Sequence, residues 1–110
     1  MIDRGAALRR FQALGDGQRL AIVELLRERP RSVRELADRL PVSRPAVSRH
    51  LRLLKDAGLV DDVPAGTRRI YALRDDGLDA LAGDLDVLWG DALRRFALVA
   101  GNATRFRRDG

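Results

Sequence analysis

The sequence has no cysteine among its 110 residues. Disulfides, thiolate metal sites and cysteine redox chemistry are excluded together, and a chain without disulfides fits a reducing compartment. Histidine is almost as scarce: His50 stands alone, and one imidazole without partners makes no metal site. Aromatic residues amount to one Trp, one Tyr and three Phe, so the core has to be built mostly from Leu, Val and Ala. No apolar run is long enough to cross a bilayer. The opening MIDRGAALRR carries charge where a secretory signal has its apolar segment. The expected location is the cytoplasm. No Ser/His/Asp or Cys/His arrangement, glycine-rich phosphate loop or metal-ligand cluster is recognisable, so neither an enzyme nor a cofactor nor a bound metal is expected. Internal repeats and Gly/Ser linkers are also missing, and a chain of this length has room for one small core.

Charge is what the sequence has in quantity, and it is unevenly placed. The net charge is +5, with twenty arginines to one lysine. Residues 1–74 carry sixteen basic and nine acidic side chains, a net +7, whereas residues 75–91 carry six aspartates and no basic residue, a net −6. Such segregation is expected where one region meets a polyanion and another does not. The cationic character is concentrated in VSRPAVSRHLRLLK, from Val42 to Lys55. At helical spacing Val47, Leu51 and Leu54 share one side, and Ser48, Arg49, Arg52 and Lys55 share the other.

The elements around this stretch follow from local signals. Residues 3–14 are expected to form a first helix stopped by Gly15. Asp16 caps a second, rich in Leu20, Ile22, Val23, Leu25 and Leu26 and ended by Pro30. Ser32 and Glu35 form an S-x-x-E capping box for a short third helix. Ser43 caps the fourth, with Pro45 in its first turn and Gly58 past its end. Two short helices joined by the Pro41–Val42 turn, the second of them basic, make a helix-turn-helix. Leu59–Val63 and Thr67–Leu73 flank the turn residues Pro64-Ala65-Gly66 as a β-hairpin, whose register the residues leave open because apolar side chains occur at both parities. The hairpin has to pack on the helices to be stable, which makes it a wing. A long final helix starts at Asp75 or Asp76, with Leu78, Leu81, Leu85, Leu88, Ala92, Phe96 and Val99 at spacings of three and four and Trp89 widening the stripe. That stripe is longer than a small domain needs for its own core, so a homodimer is expected on it. The architecture expected is mainly α with a small β-hairpin, in one domain over residues 1–101 followed by a short polar tail, 102–110.

In this order of elements, and in the words FQALGDGQRLAIVELL, SVRELADRLPVSRPAVSRHLRLLKDAGLV and AGTRRIYAL, the chain resembles the ArsR family of bacterial winged-helix repressors. The resemblance covers almost the whole chain. It implies a homodimeric, operator-binding transcription regulator with its first and last helices at the dimer interface. On this sequence those helices offer Leu8 and Phe11 from the first, and Leu85, Leu88, Trp89, Ala92 and Phe96 from the last. The chain departs from the metal-sensing members: Ser32 and Arg34 stand where those carry a cysteine-bearing site, and the last helix has no histidine. Gly17 stands where the family commonly has proline.

For DNA, Ser43, Arg44, Pro45 and Ala46 lie at the N-terminus of the basic helix, where backbone N–H groups and side chains meet phosphates and base edges. Ser48 shares its exposed face. Arg49 is the candidate base reader, because a guanidinium can bond guanine O6 and N7 together. Arg52 and Lys55 are expected on phosphates, and Arg68 and Arg69 on the wing are placed for the minor groove or flanking phosphates. His50, at the edge of the apolar stripe, is expected as a packed, hydrogen-bonded side chain. The effector is not legible. A competing expectation is a winged-helix interaction module that docks the same basic helix on an acidic protein.

Overall fold

The computed structural model describes residues 3–109, except for the side chains of Asp91, Leu93 and those beyond Gly101. In chain order the elements are α1 (Arg4–Leu14), α2 (Gly17–Glu28), β1 (Arg31–Ser32), α3 (Val33–Arg39), α4 (Arg44–Asp56), β2 (Val60–Ala65), β3 (Arg68–Leu73) and α5 (Asp75–Asp109).

The helix starts are fixed by side chains that accept otherwise orphaned N–H groups. Asp16 Oδ1 accepts from the N–H groups of Gln18 and Arg19 at 2.9 and 3.1 Å. Ser32 Oγ accepts from Glu35 N–H while Glu35 Oε1 accepts from Ser32 N–H, both at 3.2 Å. Ser43 Oγ accepts from Ala46 N–H at 3.3 Å. The end of α4 is closed by Leu59 N–H donating to the Leu54 carbonyl and Gly58 N–H to that of Lys55, both at 2.9 Å. Gly58 has φ 75°, the left-handed conformation this motif needs.

β2 and β3 pair antiparallel with Val60 opposite Leu73, Asp62 opposite Tyr71 and Ala65 opposite Arg68. This settles the register. The turn is Gly66–Thr67, with Gly66 at φ 66°, as a two-residue hairpin loop with glycine at its first position requires. The turn expected at Pro64-Ala65-Gly66 therefore moves two residues on. Pro64 and Ala65 extend β2, an edge strand, where a missing N–H is tolerated.

β1 adds a strand that the sequence did not suggest. Arg31 pairs with Tyr71 and Ser32 with Ile70, giving a three-stranded sheet in the order β1-β3-β2. The Arg31 side chain is buried. Its Nε donates to the Leu25 carbonyl at 3.1 Å and its Nη2 to Glu28 at 2.7 Å, tying β1 to the end of α2.

The core lies where α2, α3, α4 and the sheet meet. Ile22, Leu36, Val47, Leu51, Leu54, Leu59 and Val60 are fully buried there, and burying each contributes about 1.5–3 kcal/mol. In α1 the buried residues are Ala7 and Ala13; Leu8 is exposed and Phe11 half-buried.

α5 begins hard against this core. A Cβ on Gly77 would lie 1.9 Å from the Gly58 carbonyl oxygen, so only glycine allows that approach. Further along, Arg10 of α1 reaches Asp84 through Nη2 at 2.8 Å and Nε at 3.2 Å. At 1.5 Å per residue the helix is about 52 Å long, most of the 64 Å maximum extent of the molecule. The helix continues past Gly101, through the residues expected as a polar tail, to Asp109. A single glycine costs a helix only about 1 kcal/mol, too little to end it.

Candidate nucleic-acid interface

α4 separates its two characters by face. Val47, Leu51 and Leu54 are fully buried and lock the helix onto the core. Ser43, Arg44, Pro45, Ser48, Arg49, Arg52 and Lys55 are exposed, and Ala46 is half-buried. Arg44 and Pro45 occupy the first turn, where unpaired N–H groups and the helix dipole favour an anion.

The wing stands beside that first turn. A cleft of about 380 Å³ between them is lined by Ser32, Val33, Arg34, Arg44, Thr67, Arg68, Arg69 and Tyr71. Four guanidinium-bearing residues thus share one concavity with no carboxylate in its lining. Arg34 was not among the residues expected to bind. Its position at the second residue of α3 reads only as a solvated surface until the wing is folded across from it.

Arg34, Arg44, Arg49, Arg52 and Arg68 form no ion pair among the described residues. Lys55 and Arg69 differ. Lys55 Nζ donates to Asp62 Oδ1 at 2.6 Å, and Arg69 Nε donates to Asp62 Oδ2. The Asp62 side chain is only 3% exposed beneath them. Hydrogen bonds from Lys55 and then Arg69 hold the Asp62 carboxyl below the usual carboxylate range, and the same contacts raise both cations. The two residues therefore arrive at this surface already neutralised in part.

His50 sits half-buried behind the basic face, with Nδ1 3.3 Å from Arg19 Nη1. Arginine can only donate, so Nδ1 is the acceptor in this contact. Arg19 also donates to the Ala13 carbonyl at 2.6 Å, which links α1, α2 and α4 behind the basic face. Ser32 Oγ is occupied by its capping box and Arg34 points a cation, not a ligand, at the cleft. Among the described residues no group of three or more His, Cys, Asp or Glu side chains could hold a metal, and no helix is long and apolar enough to cross a membrane.

The second exposed feature is apolar. Leu8, Leu85, Leu88, Trp89 and Phe96 are exposed, Phe96 to 71%, and Ala92 is exposed between them. Val87, Leu98 and Val99 add to the uncovered apolar surface of α5.

Residues 16–62, from the cap of α2 into β2, match the family described as bacterial regulatory protein, arsR family. The HTH-type transcriptional regulator Rv2034 of Mycobacterium tuberculosis is 60% identical over 89 residues, which cover 81% of this chain and 83% of that protein. The HTH-type transcriptional repressor SmtB of the same organism is 46% identical over 65 residues, covering 59% of this chain and 48% of SmtB. Among solved structures, an ArsR-like transcriptional regulator from Rhodococcus sp. RHA1 superposes with a TM-score of 0.74 at 33% identity, over 91% of this chain and 94% of its own. A homodimeric winged helix-turn-helix DNA-binding domain from Mycobacterium bovis, solved in solution, gives 0.63 at 31% identity, over 86% and 93%. The chain belongs to the ArsR family of bacterial regulatory proteins and is a transcriptional regulator built on that winged helix-turn-helix.

Proposed function

We propose that the protein is a repressor that binds an inverted-repeat operator as a homodimer. The observation that carries this reading is the juxtaposition of unpaired arginines from α3, α4 and the wing around one cleft beside the exposed N-terminus of α4. Ser43, Arg44, Pro45, Ala46 and Ser48 lie along the leading edge, Arg49 reads a base, and Arg52 and Arg68 meet phosphates. Arg34 joins them as a further phosphate contact from the cleft. Lys55 and Arg69 serve the same surface through Asp62. Two copies joined through Leu8, Phe11, Leu85, Leu88, Trp89, Ala92 and Phe96 present two α4 helices about a two-fold axis, suited to half-sites about one helical turn apart. The reading is supported by the repressor and homodimer described for relatives, and it places the protein with the DNA in the cytoplasm, in a binding rather than a catalytic role.

Gel shift against the upstream region of its own gene tests it. A specific complex at moderate salt is expected, weakened by roughly 1–3 kcal/mol for each important base-pair substitution. A folded, dimeric protein that binds no fragment specifically overturns the reading, and indifference to base substitution would point instead to an acidic protein partner.

A further inference from the structure

We propose that Asp62 is a positioning residue of the DNA-binding surface: it ties the wing to the last turns of α4 and withholds Lys55 and Arg69 from indiscriminate phosphate contact, so that binding rests on the unpaired arginines. The inference rests on the DNA-binding reading above and deepens it.

The geometry carries the assignment. Asp62 lies on β2 opposite Tyr71 of β3, and each of its carboxylate oxygens is engaged by a different element. Oδ1 accepts from Lys55 of α4 and Oδ2 from Arg69 of β3. One carboxylate thus joins the recognition helix to both strands of the wing. The Asp62 side chain is almost wholly covered while those of Lys55 and Arg69 remain about half exposed, at 49% and 54%. The cations are folded down over the carboxylate rather than extended. Arg68, next to Arg69, makes no such pair among the described residues, so the wing presents one free and one held arginine. Asp61 shares the local negative charge, accepting from Asp62 N–H at 2.8 Å.

A carboxylate on a face that meets a polyanion opposes binding, by Coulomb repulsion and by neutralising neighbours. Its compensating effect is geometric. A three-member ion-pair network restricts two long side chains and the wing at once, which an isolated surface pair does not do. With the wing held, Arg68 and Arg44 keep a fixed spacing across the cleft. With it released, two more cations become available to any phosphate and the spacing is lost.

The test uses the full chain with an operator fragment and a scrambled fragment, titrated from 50 to 200 mM salt. In Asp62→Asn, binding to scrambled DNA should gain a salt slope steeper by roughly two to four units per dimer, since each added phosphate contact contributes about 0.9. The preference for operator over scrambled DNA should fall about tenfold. Asp62→Glu, which keeps the charge, should return the slope toward that of the unaltered protein. Lys55→Met or Arg69→Met should flatten the slope more in the Asp62→Asn background than in the unaltered one. A folded Asp62→Asn protein with unchanged slope and preference overturns the assignment, as does uniform loss of affinity with no steepening. Should Asp62→Asn not fold, the unaltered background decides: Lys55→Met must flatten the slope less than half as much as Arg52→Met, and equal flattening overturns the proposal. An unaltered protein with no operator preference overturns the DNA reading itself and this assignment with it.

Discussion

Arg49 and Arg52 stand three positions apart on one exposed helix face, and the proposed reading gives them different roles by how far each lies from the leading end of α4. Arg49→Ala should relax sequence preference, while Arg52→Ala should weaken binding to all sequences and flatten the salt slope by about one unit. Binding to a panel of single-base operator variants checks this, and equal loss of preference from both would reverse the assignment. Single residues also contribute to the acid side of the stability profile. The Ser32 N–H, together with Arg29, holds Glu35 below the usual carboxylate range, and the Arg19 and Gln18 N–H groups do the same for Asp16. Depressed values in the folded protein mean that the unfolded chain takes up protons first as pH falls. Their stabilisation is therefore present above the ordinary carboxylate range and is lost as pH drops through the folded values, below about pH 4. Glu35→Gln keeps the side-chain acceptor of the capping box but removes the charge. Its melting temperature should fall less steeply between pH 5 and pH 3 than that of the unaltered protein; parallel profiles would exclude Glu35 as a contributor.

At the scale of the element, α5 shows how one residue type acts in opposite directions along one helix. Gly77 sits where a methyl group would meet the Gly58 carbonyl, whereas at Gly83 an added Cβ meets nothing within 4 Å. Gly77→Ala should therefore destabilise by about 1–3 kcal/mol through forced separation of α5 from the end of α4. Gly83→Ala should stabilise by up to about 1 kcal/mol through helix propensity. Urea unfolding of the two variants settles the matter, and the same sign for both would mean that the Gly58–Gly77 approach is not the constraint. The wing depends on an element of another kind. Two residues of β1, held by Arg31 to the end of α2, give β3 a second neighbour and turn an otherwise marginal hairpin into a sheet.

The whole molecule is elongated because α5 outruns the core it starts from. Leu85, Leu88, Trp89 and Phe96 are all exposed along it, and clustered apolar surface of this kind marks an interaction site. Leu85→Asp or Trp89→Asp should give monomers in sedimentation, with operator affinity falling by orders of magnitude as the second half-site is lost. An unchanged mass for both would move the interface off α5. The part-buried Arg10–Asp84 pair connects α1 to the same helix, so the two elements assigned to the interface are tied to each other.

Much of this protein is determined locally, and the sequence states it. Asp16, Ser32 with Glu35, Ser43 and Gly58 mark helix ends because caps act within a few residues. Val47, Leu51 and Leu54 against Arg49 and Arg52 define the faces of α4 because helical periodicity is also local. What the fold alone decided depends on residues far apart in the chain. The Arg31–Tyr71 pairing spans forty positions, and two residues cannot display a strand's alternation. The hairpin register needed the core to choose which parity is buried. Arg34 enters the cleft, and Lys55 and Arg69 close on Asp62, only once the wing lies across α3 and α4. Sequence composition fixed how many cations the surface carries; tertiary packing decided which of them are free, because a charge is neutralised by its neighbours in space.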